Sequence, residues 1–119
     1  MKTTSYFVAW KKRLSEKTIA LELERKNILL NLPDAIRDFT KEFDVKKIFL
    51  VGSLINENFD NRSDIDIAIE GLSPRLYLKA LAFLSDYFKR EINLIPLETC
   101  NSSLKEVIYS DGRLVYSSQ

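Results

Sequence analysis

The sequence predicts an α/β (α+β) fold led by a long N-terminal helix, and three observations carry that prediction. From Thr4 to Asn31 there is no Gly or Pro, and Phe7, Leu14, Leu21 and Ile28 recur every seventh residue, the spacing of an apolar helix stripe. Past Val45 the period shortens. Lys46 to Val51 is a β-rich run stopped by Gly52-Ser53, and Asp64 to Glu70 alternates between polar and apolar, as a strand with one buried face does. Helical spacing then returns at Tyr77, Leu81, Leu84 and Phe88.

Trp10 and Leu32 extend the first stripe, while Lys17 and Glu24 interrupt it. Glu22 and Lys26 stand four apart in the order that favours an exposed ion pair. Pro33 fits the first turn of a new helix, capped by Asn31 with Asp34 near the positive end of the dipole, or else a kinked continuation. Either way, helix is expected to about Phe43, burying Ala35, Ile36, Phe39 and Phe43. Leu54 to Ser63 is turn-rich and opens with a short helix. Gly71 closes the second strand. Ser73-Pro74 reads as an N-cap and N1 proline opening a helix to about Lys89, with Leu78 beside its buried stripe. Glu91 to Ile95 is a third strand ended by Pro96. Leu104 to Tyr109 is a short helix, Asp111-Gly112 a turn, and Leu114 to Tyr116 an edge strand. The chain reads as one domain, residues 1–119, with an N-terminal helix over 1–31 and a core over 45–119.

Composition narrows the chemistry. The 119 residues hold 18 Lys+Arg, 17 Asp+Glu, one Cys and no His. Without histidine there is no Ser-His-Asp or Cys-His catalysis and no imidazole metal site. Cys100 has no second cysteine to pair with, and with Tyr109 and Tyr116 it reads as a packing residue. A net charge of +1 gives no strong nucleic-acid signal. No apolar run approaches the ~20 residues of a membrane span, and no export signal is evident, so a cytoplasmic location is expected. Carboxylates, hydroxyls, backbone amides and Lys/Arg must carry any reaction, with a hard cation such as Mg²⁺ as the matching metal.

One constellation suits that chemistry. Gly52-Ser53 ends one strand, ten residues follow, and Asp64-x-Asp66 opens the next. Alternation puts Asp64 and Asp66 on one strand face, about 6–7 Å apart, with Ile65, Ile67 and Ile69 on the other. Two carboxylates so close call for a cation between them, which bound phosphate oxygens can share. Gly52 permits close backbone approach to a phosphate. A helix starting at Ser53 would turn its free N–H groups and the hydroxyl toward the anion. Arg62 and Ser63 stand ready for the outer phosphates.

The run Val51-Gly52-Ser53, ten residues, Asp64-Ile65-Asp66 resembles the active-site motif of the minimal nucleotidyltransferases of the DNA polymerase β-like superfamily, among them the antitoxins of HEPN/MNT toxin-antitoxin pairs. The order of the remaining elements agrees over most of the chain. The resemblance implies a small mixed sheet flanked by helices, Mg²⁺ held by Asp64 and Asp66, and a triphosphate positioned by Gly52 and Ser53. It further implies transfer of a nucleoside monophosphate, AMP foremost, from an NTP to a hydroxyl of a partner protein, a HEPN-type toxin. The sequence departs from the family at its third carboxylate, where Asn93-Leu94-Ile95 stands on the next strand. Asn93 offers a neutral oxygen and cannot act as a base. Two alternatives stay open: Glu91, on the same strand face, or Glu98 substitutes, or the chain is a weakened relative that neutralises its partner by binding. A transferase for a small molecule is a third reading, disfavoured because no acceptor domain is evident.

Geometry adds a partner surface. A helix over Thr4 to Asn31 extends roughly 42 Å, more than the ~35 Å diameter of a compact chain of this length. Its first turns, with Tyr6, Phe7 and Trp10, are therefore expected to meet a second chain, a toxin or another copy, unless the helix breaks near Ser15 and folds back. Lys11-Lys12-Arg13 reads as a solvated face.

Overall fold

A computed structural model describes residues 2–52 and 65–118, with side chains described from residue 19 onward. The elements follow the order α1 (Lys2–Glu42), β1 (Lys47–Val51), β2 (Ile65–Glu70), a 3₁₀ turn (Pro74–Leu76), α2 (Tyr77–Phe88), β3 (Ile92–Pro96), α3 (Ser102–Asp111) and β4 (Arg113–Ser117). Asn31 caps nothing, because α1 runs unbroken through Pro33. A proline inside a helix removes one hydrogen bond and costs about 3 kcal/mol. Burial on both sides of it offsets that cost: Ile28, Leu32, Ala35, Ile36, Phe39 and Phe43 are all buried. The helix is continuous at Ser15 as well, so the alternative of a break and fold-back there is not what forms. At about 1.5 Å per residue, 41 residues span roughly 62 Å, which accounts for the 63 Å long axis of the molecule. Its radius of gyration, 17.8 Å, exceeds the ~13–14 Å of a compact chain this long.

Among the described residues four strands form one mixed sheet in the order β3-β2-β1-β4. β1 is antiparallel to both neighbours, and β2 is parallel to β3. The two faces bury different residues. Ile48, Leu50, Ile65, Ile67, Ile69, Ile92 and Leu94 pack against α1 and α2 as the main core. Phe49, Ala68 and Leu97 pack against Ile108 of α3 on the opposite face. Strand alternation predicts this split for β2, where the isoleucines point one way and Asp66 and Ala68 the other.

Four local expectations change. Glu22 pairs with Arg25, at 3.3 Å, in place of Lys26. Leu78 is 75 % exposed, and the stripe of α2 closes instead around Ala80 and Leu84. Ser73 makes no side-chain capping bond; the Leu76 amide donates to its carbonyl at 2.9 Å and the first turn tightens to 3₁₀. Lys89 ends α2 in the left-handed conformation, φ 52°. The third helix is longer than expected, because the Asn101 side chain accepts from the Leu104 amide at 2.7 Å and starts it at Ser102.

Candidate active site

The sheet's topology brings four strand ends to one edge. β1 finishes there while β2, β3 and β4 begin there, since Val51 pairs with Asp66, Asp66 with Asn93, and Leu50 with Arg113. Asp66 and Asn93 are thus cross-strand neighbours on the α3 face, about 4.8 Å apart in backbone position. Gly52 follows Val51 with φ +80°, a conformation that side chains resist. A Cβ added there would collide with Oδ2 of Asp66. Glycine at 52 is therefore what allows the Asp66 carboxylate to lie against the backbone at the end of β1.

Gly52, Asp66 and Asn93 line a single cavity of about 800 Å³ together with Val51, Ile95, Ile108 and the α3 residues Leu104, Val107 and Asp111. Three of the expected site residues are thus brought together. The others, Ser53, Arg62, Ser63 and Asp64, lie outside the described residues, as does the short helix expected at Leu54. Among the described residues no three His, Cys, Asp or Glu side chains are grouped to hold a metal ion, and no helix is long and apolar enough to cross a membrane.

Neither substitute for the third carboxylate reaches the cavity. Glu91 is exposed and precedes β3, where its backbone carbonyl accepts from the Ile65 amide at 3.1 Å, and it is not among the cavity's lining residues. Glu98 is committed at the far end of the sheet, where Oε2 accepts from the Gly71 amide at 2.8 Å. Asp111, read from sequence as half of a turn, is the carboxylate that does line the cavity. Its position depends on β4 pairing with β1, so no local pattern could reveal it.

The remaining singled-out side chains pack. Cys100 is half-buried on the α3 side, with Sγ 3.5 Å from the Leu97 carbonyl. Tyr109 meets Phe49 edge-on with centroids 5.2 Å apart and donates to Glu70 Oε1 at 2.7 Å. That hydrogen bond, with desolvation and the Glu70 charge behind it, pushes the phenol up to about 12.

Residues 34–119 match the family model described as "Polymerase beta, Nucleotidyltransferase". Among solved structures, one described as a toxin-antitoxin with AMP-PNP is 20 % identical, with a TM-score of 0.64 over 73 % of this chain and 74 % of that one. Another, a mutant of a toxin-antitoxin pair MntA-HpeT, is 17 % identical with a TM-score of 0.61 over 73 % and 74 %. A third, the toxin-antitoxin MntA-HepT, is 20 % identical with a TM-score of 0.52 over 82 % and 74 %. At these identities the likeness is one of fold. No curated protein matches in sequence.

Proposed function

Because this chain belongs to the polymerase beta nucleotidyltransferase family, we propose that its cavity transfers a nucleoside monophosphate, AMP foremost, from an NTP to a hydroxyl of a partner protein. The observation that carries the proposal is the convergence of Gly52, Asp66 and Asn93 on one cavity at one sheet end. The donors present are carboxylate and amide oxygens, with neither sulfur nor imidazole, and that set fits a hard divalent cation. The gap at Gly52 leaves the Asp66 carboxylate room to lie against the backbone. On this reading Asp64 and Asp66 hold Mg²⁺, which when bound supplies positive charge to the phosphates. Gly52 and Ser53 seat the triphosphate, and Arg62 and Ser63 contact its outer groups. The catalytic core is residues 45–119.

Three solved neighbours are toxin-antitoxin structures, which supports a toxin-like protein as acceptor. The shape supports a protein partner too: α1 outruns the sheet, and Ile19, Leu23 and Leu30 leave 59–76 % of their surface exposed along it. Apolar helix surface of this kind is a contact surface in waiting. Deleting residues 1 to 12 should weaken the complex and leave nucleotide binding intact. One observation favours a second reading: Asn93 sits beside Asp66 where a carboxylate is expected, as in a subunit that neutralises its partner by contact alone.

Thermal unfolding with ATP and Mg²⁺ tests the first reading. Ligand at roughly 100 times its dissociation constant should add about 2.7 kcal/mol of stability. The Asp64→Ala/Asp66→Ala variant should lose the metal-dependent part. An unchanged nucleotide shift in that variant removes the assignment, and binding without any transfer to a genuine partner favours the second reading.

A further inference from the structure

At the end of the sheet remote from Gly52, where β2 and β3 finish, a second cavity of about 400 Å³ lies between the 3₁₀ turn and the turn that follows β3. Leu72, Pro74, Tyr77 and Pro96 give it an apolar wall. That wall is anchored, because Leu72 belongs to the main core and Tyr77 packs against it. Ser73, Glu98 and Thr99 complete the lining. Following the protons shows a wall rich in acceptors and poor in donors. Pro74 and Pro96 carry no N–H. The Tyr77 hydroxyl donates to the Leu94 carbonyl at 2.9 Å, and the Thr99 hydroxyl to the Pro96 carbonyl at 3.4 Å. Both protons are thus committed, while both oxygens can still accept. Glu98 is exposed and gives Oε2 to the Gly71 amide. Among the described residues Oε1 has no partner, and no lysine or arginine pairs with the carboxylate. Ser73, which makes no capping bond, is the one of these side chains with a proton left to give.

We propose that this cavity binds a guanidinium carried on an apolar stem. A cation brings the charge that Glu98 lacks, and a guanidinium brings five N–H donors to a wall of open acceptors. Its flat, weakly hydrated faces suit a slot between a tyrosine ring and two prolines, whereas an ammonium holds its water more tightly. The stem lies against Leu72 and Pro74. An arginine side chain of another protein and a small free guanidine share this chemistry. The site stands apart from the cavity at Gly52 and does not depend on the transfer reading.

Amide NMR of the full chain tests this by titration with butylguanidinium, butylammonium, acetyl-arginine methylamide and acetyl-citrulline methylamide. Butylguanidinium should shift the amides of Leu72, Tyr77, Glu98 and Thr99 and leave that of Gly52 in place. The citrulline compound has the arginine shape without the charge, and it should bind about fivefold more weakly, the scale of a well-placed exposed ion pair. Glu98→Gln keeps an oxygen for the Gly71 amide and should weaken butylguanidinium by a similar factor, with the thermal midpoint held. Thr99→Arg, at an exposed position on the rim, supplies a guanidinium in place and should exclude the free one, so the claim stays testable if Glu98→Gln folds poorly. Tighter binding of the arginine compound than of butylguanidinium assigns the site to a protein side chain, and the reverse order to a free guanidine. No shifts at these amides, equal binding by butylammonium or the citrulline compound, or undiminished binding in a folded Glu98→Gln or Thr99→Arg chain would each overturn the proposal.

Discussion

The two ends of the sheet are built to opposite specifications. At the end where β1 starts, backbone groups are paired across every gap. The Lys46 amide donates to the Glu70 carbonyl at 2.7 Å, Leu97 to Ile69 at 2.9 Å, and Ser118 to Lys46 at 2.9 Å. Glu98 accepts from the Gly71 amide, and Tyr109 donates to Glu70. At the other end the strands open onto a cavity lined by Gly52, Asp66, Asn93 and Asp111. Both ends use a glycine at positive φ, Gly52 at 80° and Gly71 at 93°, but for different neighbours. Gly52 makes room for a carboxylate, whereas Gly71 makes room for backbone, its absent Cβ lying 2.8 Å from the Lys46 nitrogen. One end commits its polar groups to the fold, and the other turns Gly52, Asp66, Asn93 and Asp111 to a cavity.

Substituting the two glycines breaks the comparison most sharply. Gly52→Ala drives a methyl into Asp66 and should cut nucleotidyl transfer by about 100-fold or more, a loss of roughly 2.7 kcal/mol in the barrier. Pyrophosphate release reads the outcome, and the ATP-dependent thermal shift should vanish with it. Gly71→Ala forces a side chain onto a strained backbone and should cost about 1–3 kcal/mol of stability. Its folded fraction should bind ATP normally, as denaturant melts with and without nucleotide would show. If Gly71→Ala also abolished nucleotide binding, the two ends would not be independent.

Smaller changes refine the closed end. Glu98→Ala removes the acceptor from the Gly71 amide, and at this exposed position it should cost about 0.5–1.5 kcal/mol, with transfer unchanged. Tyr109→Phe should produce the least change at neutral pH. Above it the sign is fixed by the raised phenol, at about 12 in the folded chain. The stability its protonated form contributes is complete below the ordinary tyrosine value near 10 and drains away as pH climbs through 12. A stability-versus-pH curve for Tyr109→Phe should therefore be flatter across that alkaline window than the wild-type curve.

What the sequence discloses depends on the range of the interaction concerned. Strand β2 is legible from its isoleucines alone, and with it the face on which Asp66 lies, because strand alternation is local. The Gly52 turn is legible for the same reason. Pro33 misleads, since its local signal is a helix break while the contacts of Leu32, Ile36 and Phe39 with the sheet hold the helix together. Ala68 and Ala80 are fully buried yet carry too little apolar weight to stand out in a pattern. Leu78 stands out and is exposed. Asn93 is visible as a departure from the family motif, but the further carboxylate that lines the same cavity, Asp111, is not. Asp111-Gly112 has the composition of any turn, and only the β1–β4 pairing gives it a place in the cavity.

That pairing has a consequence for how the protein is made. Lys47 pairs with Ser117, so a contact that completes the sheet joins residues seventy positions apart. Closing a loop of that length costs roughly 4 kcal/mol of chain entropy, and long-range strand contacts of this kind slow folding. Strands β1, β2 and β3 leave the ribosome first, carrying Gly52, Asp66 and Asn93. The α3–β4 wall follows them. During synthesis the wall built by the first three strands thus precedes the one built by α3, and the cavity is not closed until β4 has docked.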